Sequence, residues 1–162
     1  MSKRNTASNV PHEENPSLGS KALESKGKTD TYRPVVMIVD DESSIADTLA
    51  EILSRSGYTA VAAYDGDSAL ETALLNPPEM LITDVVLPGM SGIELAITVR
   101  RIFPDCKIIL FSGQASTADL LTAASREGHQ FTLLSKPIHP ADLLSRISDG
   151  LKHRKPQAAA AV

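Results

Sequence analysis

Short apolar runs and longer mixed segments alternate along the chain from Pro34 onward. The apolar runs are bounded by turn-forming residues, which is typical of buried strands. The runs are VVMIV (35–39), TAVAAY (59–64), MLITDV (80–85), KIILFS (107–112) and FTLLS (131–135). This pattern predicts five strands.

The segments between these runs have the spacing of amphipathic helices. In the first of them Ile45, Leu49, Ile52 and Leu53 form one apolar stripe, and Gly57 ends the pattern. Further helices are predicted over 67–75, 91–102, 117–127 and 140–152. Because strands and helices alternate strictly, the strands should run parallel with helices on both faces of the sheet. The predicted fold is a doubly wound α/β fold with a five-stranded parallel sheet and five helices.

The two ends of the chain lack this alternation. Residues 1–33 are rich in Ser, Asn, Lys, Glu and Gly, and they hold too few bulky apolar residues to offset the entropy of ordering. The C-terminal end is an alanine run after a basic stretch. We therefore predict a disordered N-terminal tail over 1–33, one folded domain over 34–152 and a frayed tail over 153–162.

Charge changes this picture by excluding some partners. Residues 34–151 hold seven Lys or Arg against sixteen Asp or Glu, a net charge of −9. Such a surface repels phosphate backbones, so we expect no direct DNA binding. No apolar stretch approaches the roughly 18 residues of a membrane span, and no secretory signal is recognisable at the N-terminus. We expect a cytoplasmic protein with no membrane contact.

Polar residues stand where four of the five predicted strands stop. Asp40 and Asp41 follow the first strand, Asp84 lies at the end of the third, Ser112 ends the fourth, and Lys136 follows the fifth. In an open parallel sheet the ligand site lies beyond these carboxyl ends. Each residue alone also fits an ordinary role as a helix cap, a turn residue or a solvated strand end. One phosphorylation site explains all four strand ends together.

The chemistry of this set favours phosphoryl transfer. Two carboxylates about 4 Å apart repel by roughly 4 kcal/mol at an effective dielectric constant of about 20, so Asp40, Asp41 and Asp84 require a cation. Oxygen ligands without His or Cys favour Mg²⁺. We predict that Asp84 is the nucleophile, that Mg²⁺ and Lys136 stabilise phosphoryl charge, and that Ser112 donates a hydrogen bond to the product.

These motifs resemble the receiver domain of two-component response regulators over about residues 34–152. The stretches that carry the resemblance are Asp40-Asp41, the run DVVLPGMSGIEL from Asp84, Ser112-Gly113 and Lys136-Pro137. The resemblance implies a flavodoxin-like (βα)5 receiver fold and a single-domain response regulator. It also implies that Asp84 accepts a phosphoryl group from a sensor histidine kinase or a histidine phosphotransfer protein, with signalling through an unknown downstream protein target or a phosphorelay.

The resemblance assigns further roles at the site. Asp41 and Asp84 would bind Mg²⁺ directly, Asp40 would bind it through water, and the backbone carbonyl of Val86 would complete the protein ligands. Ser112 would be the switch hydroxyl that moves toward the phosphoryl group. The bond from Lys136 to Pro137 would be cis, which X-Pro bonds can adopt at little cost.

The chain departs from the family pattern near the fifth strand. Receivers usually carry Tyr or Phe three residues before this Lys, whereas here Leu133 stands there and Phe131 lies two residues earlier. The spacing from Gly128 to Lys136 is also one residue longer than usual. We predict a readout without the standard aromatic rotamer, unless a bulge moves Phe131 into place. Phe131 is otherwise expected to pack in the core beneath the last helix.

Two positions bear on the lifetime of the phosphoryl group. By resemblance, the residues two after the phosphoacceptor and two after the switch hydroxyl flank the path of the hydrolytic water, and here they are Val86 and Gln114. Val86 has no polar group to orient a water. We therefore expect slower autodephosphorylation than with a polar residue at this position.

Three other functions remain open at this point. A phosphatase of the haloacid-dehalogenase type also uses an aspartyl phosphate, but its general acid would stand at Val86. A nucleotide-binding flavodoxin-like module would need a Gly-rich loop after the first strand. A degenerate receiver could act as a constitutive binding module, although the intact acidic and basic set argues against this. We expect no enzyme activity beyond self-phosphorylation and self-dephosphorylation, and no attached output domain.

Overall fold

The computed structural model describes residues 31–113 and 117–152. Most of the predicted N-terminal tail, the whole predicted C-terminal tail and Gln114 lie outside the described residues. None of the helices in the described part is long and apolar enough to cross a membrane.

Five strands and five helices alternate as the pattern predicts. They are β1 (Val35–Val39), α1 (Ser43–Arg55), β2 (Thr59–Ala63), α2 (Gly66–Leu75), β3 (Met80–Asp84), α3 (Gly92–Ile102), β4 (Lys107–Ser112), α4 (Thr117–Arg126), β5 (Thr132–Ser135) and α5 (Pro140–Lys152). Tyr64, Val85 and Phe131, which the pattern placed in strands, lie just outside them, since ends depend on local hydrogen bonds. Gly57 follows α1 with a φ of 97°, which is the left-handed conformation that glycine tolerates at a helix end.

All five strands pair in parallel in the order β2-β1-β3-β4-β5. This is the flavodoxin-like order, and it confirms the predicted doubly wound sheet. The chain reverses its direction of winding between β1 and β3, which are neighbours in the sheet. Ligands bind at such a switch point, beyond the carboxyl ends of the strands.

Helices cover both faces of the sheet and enclose two apolar layers. One layer contains Ala69 and Ala73 of α2, Leu95 of α3 and Ala124 of α4. The other layer contains residues of α1 and α5, namely Ala46, Leu53, Leu143 and Ile147. The inner strands β1 and β3 are almost wholly buried between the layers, so their carboxyl ends are held rigidly.

The position of Phe131 corrects one expectation. β5 pairs with β4 in a regular register from Thr132 to Ser135, so no bulge moves Phe131 along the strand. Phe131 packs against the layer under α2, α3 and α4, and not beneath α5. Side chains alternate along a strand, so Phe131 shares a face with Leu133, whereas α5 covers the face of Leu134.

Phe131 is fixed by two contacts of its ring. The guanidinium carbon of Arg100 lies 4.4 Å from the ring centroid, and the ring of His129 stacks on it with centroids 6.2 Å apart. Arg100 also donates a hydrogen bond from Nη1 to the carbonyl of Gln130 at 2.8 Å. These contacts give Phe131 a structural role at the beginning of β5, far from the strand's carboxyl end.

Candidate functional site

The site is built around an ammonium group that bridges two strand ends. Nζ of Lys136 donates hydrogen bonds to Oδ2 of Asp40 at 2.6 Å and to Oδ2 of Asp84 at 2.8 Å. Lys136 follows β5, Asp40 follows β1, and Asp84 ends β3. Residues that are distant in the sequence thus meet at the carboxyl edge of the sheet, as the strand-end pattern predicts.

The carboxylates differ in their access to solvent. Asp40 is only 2% exposed, whereas Asp41 is exposed and Asp84 is intermediate. One carboxylate oxygen of each lies within 4.8 Å of the others. Three carboxylates beside one ammonium carry a net charge of −2 when all are ionised, which matches a divalent cation. The all-oxygen donor set fits Mg²⁺, so the residues present are suited to the metal that the sequence predicts.

Burial and the neighbouring carboxylates shift the pKa of Lys136 in opposite directions. Partial burial lowers the pKa of its ammonium group, but hydrogen bonds to Asp40 and Asp84, together with their charges, outweigh burial. The net effect raises the pKa above the ordinary value of 10.5. Lys136 therefore stays cationic at neutral pH.

Backbone amides orient the carboxylates of Asp40 and Asp84. The Glu42 amide donates to Oδ1 of Asp40 at 3.0 Å, and the Val86 amide donates to Oδ1 of Asp84 at 3.1 Å. Each carboxylate is thus held by one backbone amide and by Nζ of Lys136. The side chain of Val86 is half exposed and has no group that could act as a general acid. The role of its backbone carbonyl as a metal ligand stays a prediction.

A glycine at the beginning of α3 permits close contact with the end of β3. A Cβ atom added to Gly92 would lie 1.7 Å from the carbonyl oxygen of Asp84, far inside van der Waals contact. The Gly92 amide donates to the Val85 carbonyl at 2.9 Å. Ser91 and Glu94 form a capping box that fixes the first turn of α3. Gly92 therefore lets α3 begin in direct contact with the end of β3, where Asp84 lies.

Ser112 lies at the same edge, at the end of β4. Its backbone carbonyl accepts a hydrogen bond from the Lys136 amide at 2.9 Å, which ties it to the end of β5. Its hydroxyl is hydrogen-bonded to the hydroxyl of Thr117, the first residue of α4. Gln114, whose expected role concerns hydrolytic water, lies outside the described residues.

Sequence reasoning missed Thr117 as a member of this edge. It stands five residues after Ser112 at a helix start, where a threonine is also an ordinary helix-terminal residue, so the sequence gives no separate signal. Gly92 was visible within the motif run, but its close approach to Asp84 depends on the tertiary fold.

Comparisons with known proteins agree with this geometry. The family model of the response regulator receiver domain matches residues 36–148. A signal receiver domain of an HD domain-containing protein from Pseudomonas fluorescens Pf-5 is 30% identical, with a TM-score of 0.69 over 75% of this chain and 97% of that one. A CheY-like receiver domain protein from Methanospirillum hungatei JF-1 is 28% identical, with a TM-score of 0.68 over 75% of this chain and 95% of that one.

Chemotaxis response regulator CheY4 of Vibrio cholerae is also similar, at 27% identity and a TM-score of 0.65 over 74% of this chain and all of that one. The family match covers more than half of the chain, and the strand order agrees with it. The chain therefore belongs to the response regulator receiver domain family, whose members act in two-component signalling.

Proposed function

We propose that this domain is a phosphorylation-activated switch that accepts a phosphoryl group on Asp84. The donor is a phosphohistidine of a sensor histidine kinase or of a histidine phosphotransfer protein. The observation that carries the proposal is the bridge from Lys136 to Asp40 and Asp84, beside the exposed Asp41. This arrangement offers a nucleophile, a fixed cation and an acidic cation site at one edge.

The transfer step uses the partly exposed carboxylate of Asp84. One of its oxygens attacks the phosphorus atom, a P–O bond forms, and the P–N bond to the donor imidazole breaks. The imidazole leaves with the bonding electron pair and takes up a proton. Lys136, whose Nζ lies 2.8 Å from Oδ2 of Asp84, can donate to a phosphoryl oxygen as charge develops there. Ser112 is proposed to donate a hydrogen bond to the product.

The three carboxylates are suited to different parts of a Mg²⁺ site. Asp40 is buried and already accepts hydrogen bonds from Lys136 and from the Glu42 amide, which fits a role through water. Asp41 and Asp84 are more accessible and fit direct ligation, with the Val86 carbonyl as a further proposed ligand. When bound, Mg²⁺ would neutralise charge on the phosphoryl oxygens.

The proposal also covers partners and location. We propose no enzyme activity beyond self-phosphorylation and self-dephosphorylation, because Val86 has no side-chain group that could serve as the general acid of a haloacid-dehalogenase-type phosphatase. Output would come from contacts with a downstream protein or from onward transfer in a phosphorelay. The net charge of −9 over residues 34–151 argues against direct DNA binding. The switch would act in the cytoplasm as one receiver domain over about residues 34–152.

Acetyl phosphate with Mg²⁺ tests the proposal. Intact mass should show one added phosphoryl group on the wild type, and none when Mg²⁺ is chelated. Asp84→Asn should abolish the addition. Asp105→Asn is the matched control, because Asp105 is an exposed carboxylate in the loop before β4, at the opposite edge of the sheet. Equal labelling of the Asp84→Asn variant and the wild type would contradict the proposal.

A further inference from the structure

The hydroxyl pair of Ser112 and Thr117 lies in a buried part of the carboxyl edge. Ser112 is 9% exposed and Thr117 is 2% exposed. The two hydroxyls are hydrogen-bonded to each other. Because Thr117 is the first residue of α4, this bond joins the end of β4 directly to that helix.

Thr117 is also one of few anchors of α4. Of the helix residues, only Thr117, Leu121 and Ala124 are at least partly buried, and they lie on one face. Thr117 is the polar member of the three. A change in the hydrogen bonding of Thr117 therefore acts on the first turn of a helix that has little else to hold it.

The cleft beside this pair is lined by the aliphatic side chain of Leu133, at the position where receivers usually carry an aromatic ring that changes rotamer on phosphorylation. Leu133 is 41% exposed, and a cleft of about 370 Å³ lies between β5 and α4. Ser112, Thr117, Leu121 and Leu133 are among the residues that line it. Phe131 is held at the other end of β5 by Arg100 and His129, so its ring is not poised to enter the space.

We propose that Thr117 is a positioning residue that holds Ser112 away from Asp84, and that phosphorylation is transmitted to α4 when this bond breaks. The inference rests on the proposed function, in which the Ser112 hydroxyl turns to the phosphoryl group. Turning the Ser112 hydroxyl to the phosphoryl group takes its oxygen away from Thr117, so their bond breaks whichever of the two hydroxyls donates it. The first turn of α4 then loses its hydrogen bond to the end of β4, and α4 replaces an aromatic ring as the responding element.

The hydrogen bond between Ser112 and Thr117 makes the phosphoryl-binding state less populated, so removing this bond should tighten the binding of a phosphoryl mimic. A net hydrogen bond of ordinary strength corresponds to a change of about two- to ten-fold in affinity. The probe is beryllofluoride with Mg²⁺, titrated into the full chain. Thr117→Val keeps the shape of the side chain and removes the hydroxyl, whereas Thr117→Ser restores the hydroxyl.

The expected result is two- to ten-fold tighter beryllofluoride binding by Thr117→Val, with Thr117→Ser close to the wild type. Thr122→Val is the matched control on the same helix, because its hydroxyl donates only to the Ala118 carbonyl of its own helix among the described residues. It should bind like the wild type. Equal affinities for the wild type and Thr117→Val, or equal tightening by Thr117→Ser, would overturn the proposal.

Hydrogen exchange of α4 gives a second readout that does not depend on the variant folding. In the wild type, beryllofluoride should lower the protection of the amides in the first turns of α4, and unchanged protection despite binding would overturn the proposal. Thr117→Val should show the lower protection without beryllofluoride. If neither the wild type nor Thr117→Val binds beryllofluoride, the proposed function itself fails and this inference falls with it. Binding with unchanged α4 refutes only the role of Thr117.

Discussion

Replacing Lys136 by methionine removes the one cation among the described residues that contacts the buried carboxylate of Asp40. At an effective dielectric constant of about 20, the pair at 2.6 Å attracts by roughly 6 kcal/mol, and desolvation offsets part of this. Breaking a buried pair from one side typically costs about 3–5 kcal/mol. Because the Lys136 side chain is 23% exposed, we expect a loss of about 2–4 kcal/mol.

Urea unfolding in the presence of a chelator measures this loss. The midpoint of Lys136→Met should fall by roughly 1–2 M relative to the wild type. Lys107→Met is the matched control, since Lys107 is exposed at the beginning of β4 and has no ion pair among the described residues. Equal midpoints for the two variants would refute the reasoning that Lys136 neutralises a buried charge.

Magnesium should separate this electrostatic role from a packing role. Without Lys136 the three carboxylates carry a net charge of −3 when ionised, so Mg²⁺ should bind more tightly to Lys136→Met and restore part of its stability. Phosphorylation by acetyl phosphate should nevertheless slow, because the donor to the phosphoryl oxygens is gone. Slower phosphorylation together with weaker Mg²⁺ binding would indicate a distorted site instead.

The remaining predictions concern the frame of the site. Gly92→Ala should destabilise the domain by about 1–3 kcal/mol in urea unfolding, because its Cβ would overlap the Asp84 carbonyl; an unchanged midpoint would contradict the contact. Val86→Asn should speed autodephosphorylation, measured as loss of the added mass over time, and an equal or slower rate would count against the water-path argument. Structures with and without beryllofluoride should show the Phe131 ring in one place, and a ring that swings inward with Ser112 would refute the prediction. A hydrogen bond from the Ser91 backbone amide lowers the pKa of Glu94. Wild type should therefore be more stable than Glu94→Gln above about pH 4.5, and this difference in stability should vanish as the pH falls through the lowered pKa.

The sequence predicted the fold well because its strands are apolar, short and separated by clear helical stripes. The predicted strand ends also placed Asp40, Asp84 and Lys136 at one edge of the sheet, because the carboxyl ends of parallel strands lie at the same edge. Element ends were less well predicted. Tyr64 and Val85 extend the apolar runs but lie one residue beyond β2 and β3, although the Val85 amide still donates to the Phe111 carbonyl of β4 at 2.9 Å. The hydrophobic pattern alone does not record where the strands end.

Tertiary contacts account for what the sequence did not reveal. The bulk of Phe131 suggested a core position, but only the face alternation of β5 and the reach of Arg100 from α3 decide which layer it joins. The partnership of Thr117 with Ser112 likewise depends on where α4 begins relative to β4. No spacing rule marks either contact.

Chemical mapping of the phosphorylated residue tests the central claim most directly. Borohydride reduces an aspartyl phosphate to homoserine, which peptide mass spectrometry locates in the chain. After acetyl phosphate and Mg²⁺ treatment, we predict homoserine at Asp84 alone, and none when Mg²⁺ is chelated. Homoserine at Asp40 or Asp41, or a stable phosphate on Ser112 with Asp84 unmodified, would contradict the account.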